Sequence, residues 1–233
     1  DSLGLDVDNN STITALSVGH ITPVSVASGR SLSGAITVTA GSLKLNETGE
    51  LASTIAMSGG TLDADESLAV SGALTQSGDI TIDVADNKTL TYSGAAVEIG
   101  EYTLNVIGGG ILNNNNALVL ASGGSKLLLD STTLNKASTS SGSLGLDVNA
   151  NSTVTSLSVG HITPVSIGAG KSLSGAIGVT AGSLKLNETG TLASTIAMSG
   201  GILDADESSA ISGALSHTAD ITIDVVTGKT LTY

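Results

Sequence analysis

The 233 residues include no cysteine, no phenylalanine and no tryptophan, and Tyr92, Tyr102 and Tyr233 are the only aromatics. Without cysteine there is no disulfide staple and no thiolate to hold a metal or act as a nucleophile. Without large rings a rounded core loses its main sources of buried area, so the 40% apolar content must be packed as Ala, Val, Ile and Leu in a thin, regular interior. Basic residues are also scarce. Eight Lys and Arg face 21 Asp and Glu, for a net charge of −13, which repels a phosphate backbone and disfavours nucleic-acid binding. No apolar run approaches the roughly 20 residues that cross a bilayer. Asp1 opens directly into patterned sequence without a basic and then apolar leader, so a signal or anchor is expected outside this segment. Charged residues make up only 12% and branched aliphatics recur throughout, which argues against disorder.

What the chain has in abundance is repetition. At an offset of 141, SLGLDV at 2 to 7 falls on the same string at 143 to 148, GSLKLNETG at 41 to 49 on 182 to 190, and LASTIAMSGG at 51 to 60 on 192 to 201. Of the 92 pairs between 1 to 92 and 142 to 233, 71 are identical. Residues 1–141 therefore form one tandem unit, and 142–233 about two thirds of a second.

A shorter period lies inside the unit. Gly19, Gly41, Gly60, Gly78, Gly100, Gly124, Gly142 and Gly160 each precede an alternating apolar stretch, in seven steps averaging about 20 residues. The stretches ITPVSV, SLKL, TLDA, DITIDV, EYTLNV, SKLLL and SLGLDV alternate at period 2. This puts Leu43 with Leu45, Ile80 with Ile82 and Val84, and Leu144 with Leu146 and Val148 on single faces. A second ladder runs through Ile13, Leu32, Leu51, Leu68, Leu90, Leu112, Leu134 and Val154. A third strand precedes each Gly, as in ALSVG and TIAMSGG. Three strands and three turns per 20 or so residues predict an all-β fold, a parallel β-solenoid, most simply a three-faced, right-handed β-helix of about 12 rungs. Rungs about 4.8 Å apart would make one continuous rod of roughly 55 Å, each unit advancing about 34 Å. Neither terminus carries an amphipathic helix or Lys cluster to blunt the stack, so neighbouring repeats of the parent chain, or other copies end to end, are the expected partners.

Rungs such as GSLKLNETGELAS, acidic, poor in aromatics, rich in Gly, Ser, Thr, Asn and Ala, and set in long near-identical units, resemble the passenger regions of autotransporters and the filamentous-haemagglutinin-type giant adhesins of bacteria. The resemblance implies an extracellular or cell-surface β-helix, with a cell-surface or glycan receptor among its partners. It rests on style, contains no signature motif and assigns no residue a role.

The most charged recurring spot is TLDADES at 61 to 67, which returns as ILDADES at 202 to 208. Period 2 turns Asp63 outward, places Asp65 and Glu66 in the next turn and brings Asp83 one rung along. Asp63, Asp65, Glu66 and Asp83, and likewise Asp204, Asp206, Glu207 and Asp224, are candidate calcium ligands, since Ca²⁺ takes six to eight oxygens. Lys44, one rung to the other side, is set to neutralise Asp63, and the plain alternative is a solvated acidic face. The same carboxylates lack the cleft and sugar-stacking Trp that a polysaccharide-cleaving β-helix requires, so no catalytic residue is assigned and no enzyme is expected. No cofactor other than calcium is implied.

His20 and His161 hold equivalent turn positions seven rungs apart and cannot share a metal. His217 replaces Gln76 in a turn. Pro23 and Pro164, which donate no ladder hydrogen bond, suggest an edge or irregular position. NST at 10 and 151, NETG at 46 and 187 and NKT at 87 match the glycosylation acceptor pattern, with stacked turn asparagine as the plain reading. The run 113 to 116, four asparagines, predicts a bulging polar loop. An ice-binding face would need a regular Thr array, which the pairs at 12/14, 31/33, 50/52, 67/69 and 89/91 interrupt. The expected role is a rigid spacer or adhesin stalk in a large extracellular bacterial protein. A self-assembling fibre or sheath, a phage tail-fibre segment and an ice-binding solenoid stand as alternatives.

Overall fold

A computed structural model describes residues 4–233 and contains thirty strands and no helix. Ser2 and Leu3, which open the SLGLDV repeat, lie outside the described residues, and the first described strand is Leu5–Val7. Every pairing is parallel. One sheet takes a single strand from each of twelve rungs and forms the first face. The other sheet has 18 strands, which sort by register into two rows, the second and third faces. The third face ends one rung before the other two, giving eleven full turns and part of a twelfth. The chain is thus the β-solenoid that its periodicities predict.

Alternation decides what goes inside. On the first face Leu43, Leu62, Ile82, Val106, Leu129, Val148 and Ile167 stand in one in-register column over seven rungs. None is more than 3% exposed. Each such burial contributes about 1.5–3 kcal/mol. Leu144 departs from its expected face. It is 58% exposed while Leu146 and Val148 are buried, because Gly145 between them adopts φ +90° and turns the chain.

The second ladder is real over Leu68, Leu90, Leu112, Leu134 and Val154 but shifts where the rungs change length. Leu51 faces Val70 rather than Leu68, and Ile13 faces Gly34 while Leu32 faces Ser11. At Gly34 the strand bends from the second face to the third with φ +126°, and a Cβ there would lie 2.0 Å from the Ile13 carbonyl oxygen. Gly175 repeats the arrangement opposite Val154. Only glycine fits that close approach.

Two further expectations are corrected. Pro23 and Pro164 lie on interior strands, each paired on both sides. At Gly145, beneath Pro164, a Cβ would sit 1.9 Å from the Pro164 carbonyl oxygen, so the missing side chain lets the backbones close where proline offers no donor. The asparagine run is a loop only in its second half, where Asn115 and Asn116 lie exposed in the bend. Asn113 and Asn114 complete the strand Ile111–Asn114, and Asn114 is fully buried. Its Nδ2 donates to the Asn116 and Lys136 carbonyls, both at 2.7 Å, and its Oδ1 accepts from the Lys136 N–H at 3.1 Å. The interior also admits one ring. Tyr92 is buried directly below Asn114, and its hydroxyl accepts from the Leu74 N–H at 3.0 Å and donates to the Ala95 carbonyl at 2.8 Å. Both side chains sit where the chain rounds the corner from second to third face and use their polar ends to satisfy corner backbone. In the shorter corners Ser53 and Ser194 do this with one hydroxyl, each bonding a carbonyl of the rung below.

Replacing Asn114 by Ala strands two carbonyls and an N–H in the interior. The Asn114→Ala chain is expected to lose about 1–3 kcal/mol or more of stability, read from denaturant midpoints at unchanged slope.

Candidate functional site

The charged residues collect at the end of the first face and in the turn after it. Parallel register stacks Lys44, Asp63 and Asp83 in one outward column, as period 2 predicts. Each carboxylate stands directly over the next, the arrangement in which like charges repel most. Lys44 answers from below, with its Nζ 3.2 Å from Asp63 and 2.5 Å from Asp65. Ser42 donates to Asp63 at 3.4 Å. Glu66 points the other way, to Lys88 at 2.6 Å. The second unit rebuilds the cluster: Lys185 reaches Asp204 at 3.4 Å and Asp206 at 2.8 Å, and Lys229 meets Glu207 at 2.5 Å. Asp224 stands over Asp204 as Asp83 stands over Asp63. A similar pair, Lys126 with Asp147, bridges the unit boundary.

Asp83 has no lysine of its own. Burial, and then the charges of Asp63 and Asp65, push its carboxyl above the usual 3.8. Lys44 is held above 10.5, chiefly by its hydrogen bond to Asp65, with burial working against the shift. Lys185 behaves the same way through Asp206. Of the eight candidate calcium ligands the structure thus brings Asp63 and Asp83 into register, likewise Asp204 and Asp224, and gives Asp65, Glu66, Asp206 and Glu207 to lysines. The ammonium of Lys44 sits between Asp63 and Asp65, where a bound cation would have to stand. Among the described residues no group of three or more His, Cys, Asp or Glu side chains is arranged to hold a metal ion.

The remaining candidates sort by partner. His20, His161 and His217 are exposed, the first two in bends and His217, expected in a turn, at the end of the strand Leu215–His217. Asn10 and Asn151 each accept a backbone N–H from the next rung, Ser31 at 3.1 Å and Ser172 at 3.0 Å, as stacked turn asparagines do. Asn46 and Asn187 bury their side-chain oxygens, while Asn87 is exposed in a turn at φ 62°. Along the second face Ser31, Glu50, Ala69, Thr91 and Asn113 stack in register, a column with no repeating Thr. A shallow groove of about 320 Å³ runs beside it, lined by Asn10, Arg30, Thr48 and Glu50. What the sequence reading missed is the corner chemistry of Tyr92 and Asn114. The visible signal was that both interrupt an otherwise aliphatic column at neighbouring rungs.

Because the native state holds the Asp83 proton more tightly than the unfolded chain does, the contribution of this carboxyl to stability is greatest at low pH. It is lost as pH rises from 3.8 through the raised native value. Asp83→Asn is therefore expected to melt higher than the parent at pH 7, with the difference closing near pH 3, in thermal scans across that range. The lysine arrangement is checked by calcium. Lys44→Ala frees Asp63 and Asp65, so millimolar Ca²⁺ should raise its melting temperature more than the parent's; equal shifts would show that the ammonium does not hold the cation position. The chain matches no family model, no curated protein and no solved structure with which it was compared.

Proposed function

We propose that this chain is a non-enzymatic structural or adhesive segment of a large extracellular bacterial surface protein, acting as a rigid spacer or adhesin stalk. The observation that carries the reading is the junction between units. Lys126–Leu129 pairs with Gly145–Val148, and Thr133–Thr139 with Ser152–Val159, in the same parallel register found inside a unit. One unit therefore passes into the next without a linker, and added units lengthen the rod without any new interface. The acidic surface, with 21 acidic against eight basic residues, keeps neighbouring rods apart and dispersed. The resemblance to autotransporter passengers and giant adhesins supports the bacterial surface setting.

A second reading is an extracellular fibre or sheath built end to end, since the parallel register that joins one unit to the next within the chain would serve equally between copies. Lengths distinguish the two. Chains carrying one, two and three further 141-residue units should remain monodisperse and grow by about 34 Å per unit in electron micrographs and small-angle scattering. Open-ended filaments that lengthen with concentration would favour the fibre instead.

A further inference from the structure

The backbone ladder is closed at every step of the first and second faces among the described residues, and at every step but one of the third. The exception falls between the fourth and fifth rungs. Leu74–Gln76 pairs with Thr54–Met57 below it, and Val97–Ile99 pairs with Leu118–Leu120 above it. The two strands lie side by side yet form no ladder with each other.

The cause is one residue. Val70, Tyr92 and Asn114 share a column, so the corner that follows can be compared rung by rung. Three residues separate Val70 from Leu74 and Asn114 from Leu118, but four separate Tyr92 from Val97. The longer corner makes room for the Tyr92 ring, whose hydroxyl takes the Leu74 N–H and the Ala95 carbonyl. Gly94 is required beneath the ring, since a Cβ there would lie 2.5 Å from the hydroxyl. A cavity of about 300 Å³, lined by Leu74, Thr75, Gln76, Ala96 and Glu98, occupies the break. Gln76 sends its amide nitrogen to the Gly78 and Thr103 carbonyls, both at 2.9 Å, and its Oε1 is buried there without a partner. The second unit prepares the same wedge, with the Tyr233 hydroxyl accepting from the Leu215 N–H at 3.2 Å.

We infer that this step is a hinge built into each seven-rung unit: the third face opens between Leu74–Gln76 and Val97–Ile99 while the other two faces stay paired. Opening there breaks a tyrosine bridge instead of a row of backbone bonds, and the closed faces on either side act as its spine. The rod is then stiff over most of a unit and bends at one fixed place, whatever it is attached to.

Amide exchange measured by NMR on the whole chain tests this. Thr75, Glu98 and Val119 hold matching outward positions in three successive rungs. Ile99 gives its carbonyl upward to Ala121, so alternation turns the Glu98 N–H down into the break. The Glu98 amide is expected to exchange roughly tenfold or more faster than those of Thr75 and Val119, because it needs only the local opening. Tyr92→Phe should speed Glu98 further and leave Val119 unchanged. Deleting Ala96 together with Tyr92→Val gives the corner the length of its neighbours and should slow Glu98 to their rate. A Glu98 amide already as protected as Val119 in the parent chain overturns the hinge, whether or not the shortened chain folds.

Discussion

Everything in this molecule follows from the in-register parallel ladder, which places each residue about 4.8 Å from its counterpart in the next rung. A column must then be filled by side chains that tolerate their own kind above and below. Leucine, isoleucine and valine do so at a favourable spacing, and the interior becomes a set of aliphatic stacks such as the one from Leu43 to Ile167. Carboxylates do not. Asp63 under Asp83 is the direct result of the same register that makes the core, and Lys44 and Lys185 are the local answers to it. Core and acidic corner are one constraint seen from two sides of the strand.

Corners escape the ladder, and there the rungs differ. Ser53, Tyr92 and Asn114 stand at the same bend in three different rungs and solve the same problem, that of backbone groups turned inward without a strand to pair with. Hydroxyl, phenol and carboxamide reach different distances, and the longest of them, the Tyr92 phenol, goes with a bend of four residues where Asn114 has three. The corners therefore carry the polar exceptions, and between them the inward columns stay aliphatic.

The rung length, the three strands per turn and the outward placing of Asp63 were legible because period-2 alternation survives any change of corner length. The stacked partners of Leu51 and Ile13 were not, since a register offset of two preserves alternation and leaves no trace in a polar–apolar pattern. The asparagine run misled for a related reason. Four polar residues in a row read as loop by composition, yet Asn114 carries the donors and acceptor that the corner lacks and is buried for that reason. Pro23 and Pro164 read as edge or irregular positions because proline removes a donor, and the compensating glycine belongs to a different rung, some 20 residues away. In the candidate site the lysine opposite Asp63 was visible from spacing, but its simultaneous grip on Asp65 depends on how the turn folds back.

Sharing 71 of 92 residues between units has a consequence for how the chain finds its structure. A strand from one unit presents nearly the same face as its counterpart 141 residues on, so a growing stack can accept the wrong unit with little loss of contact. Within a unit the risk is smaller, because the bulky ring at Tyr92, the four-residue bend after it and the buried Asn114 fit only one neighbouring rung each. These odd rungs serve as phase marks: they fix the order of layers inside a unit and leave whole-unit slips to be avoided by the sequence in which the chain emerges and stacks.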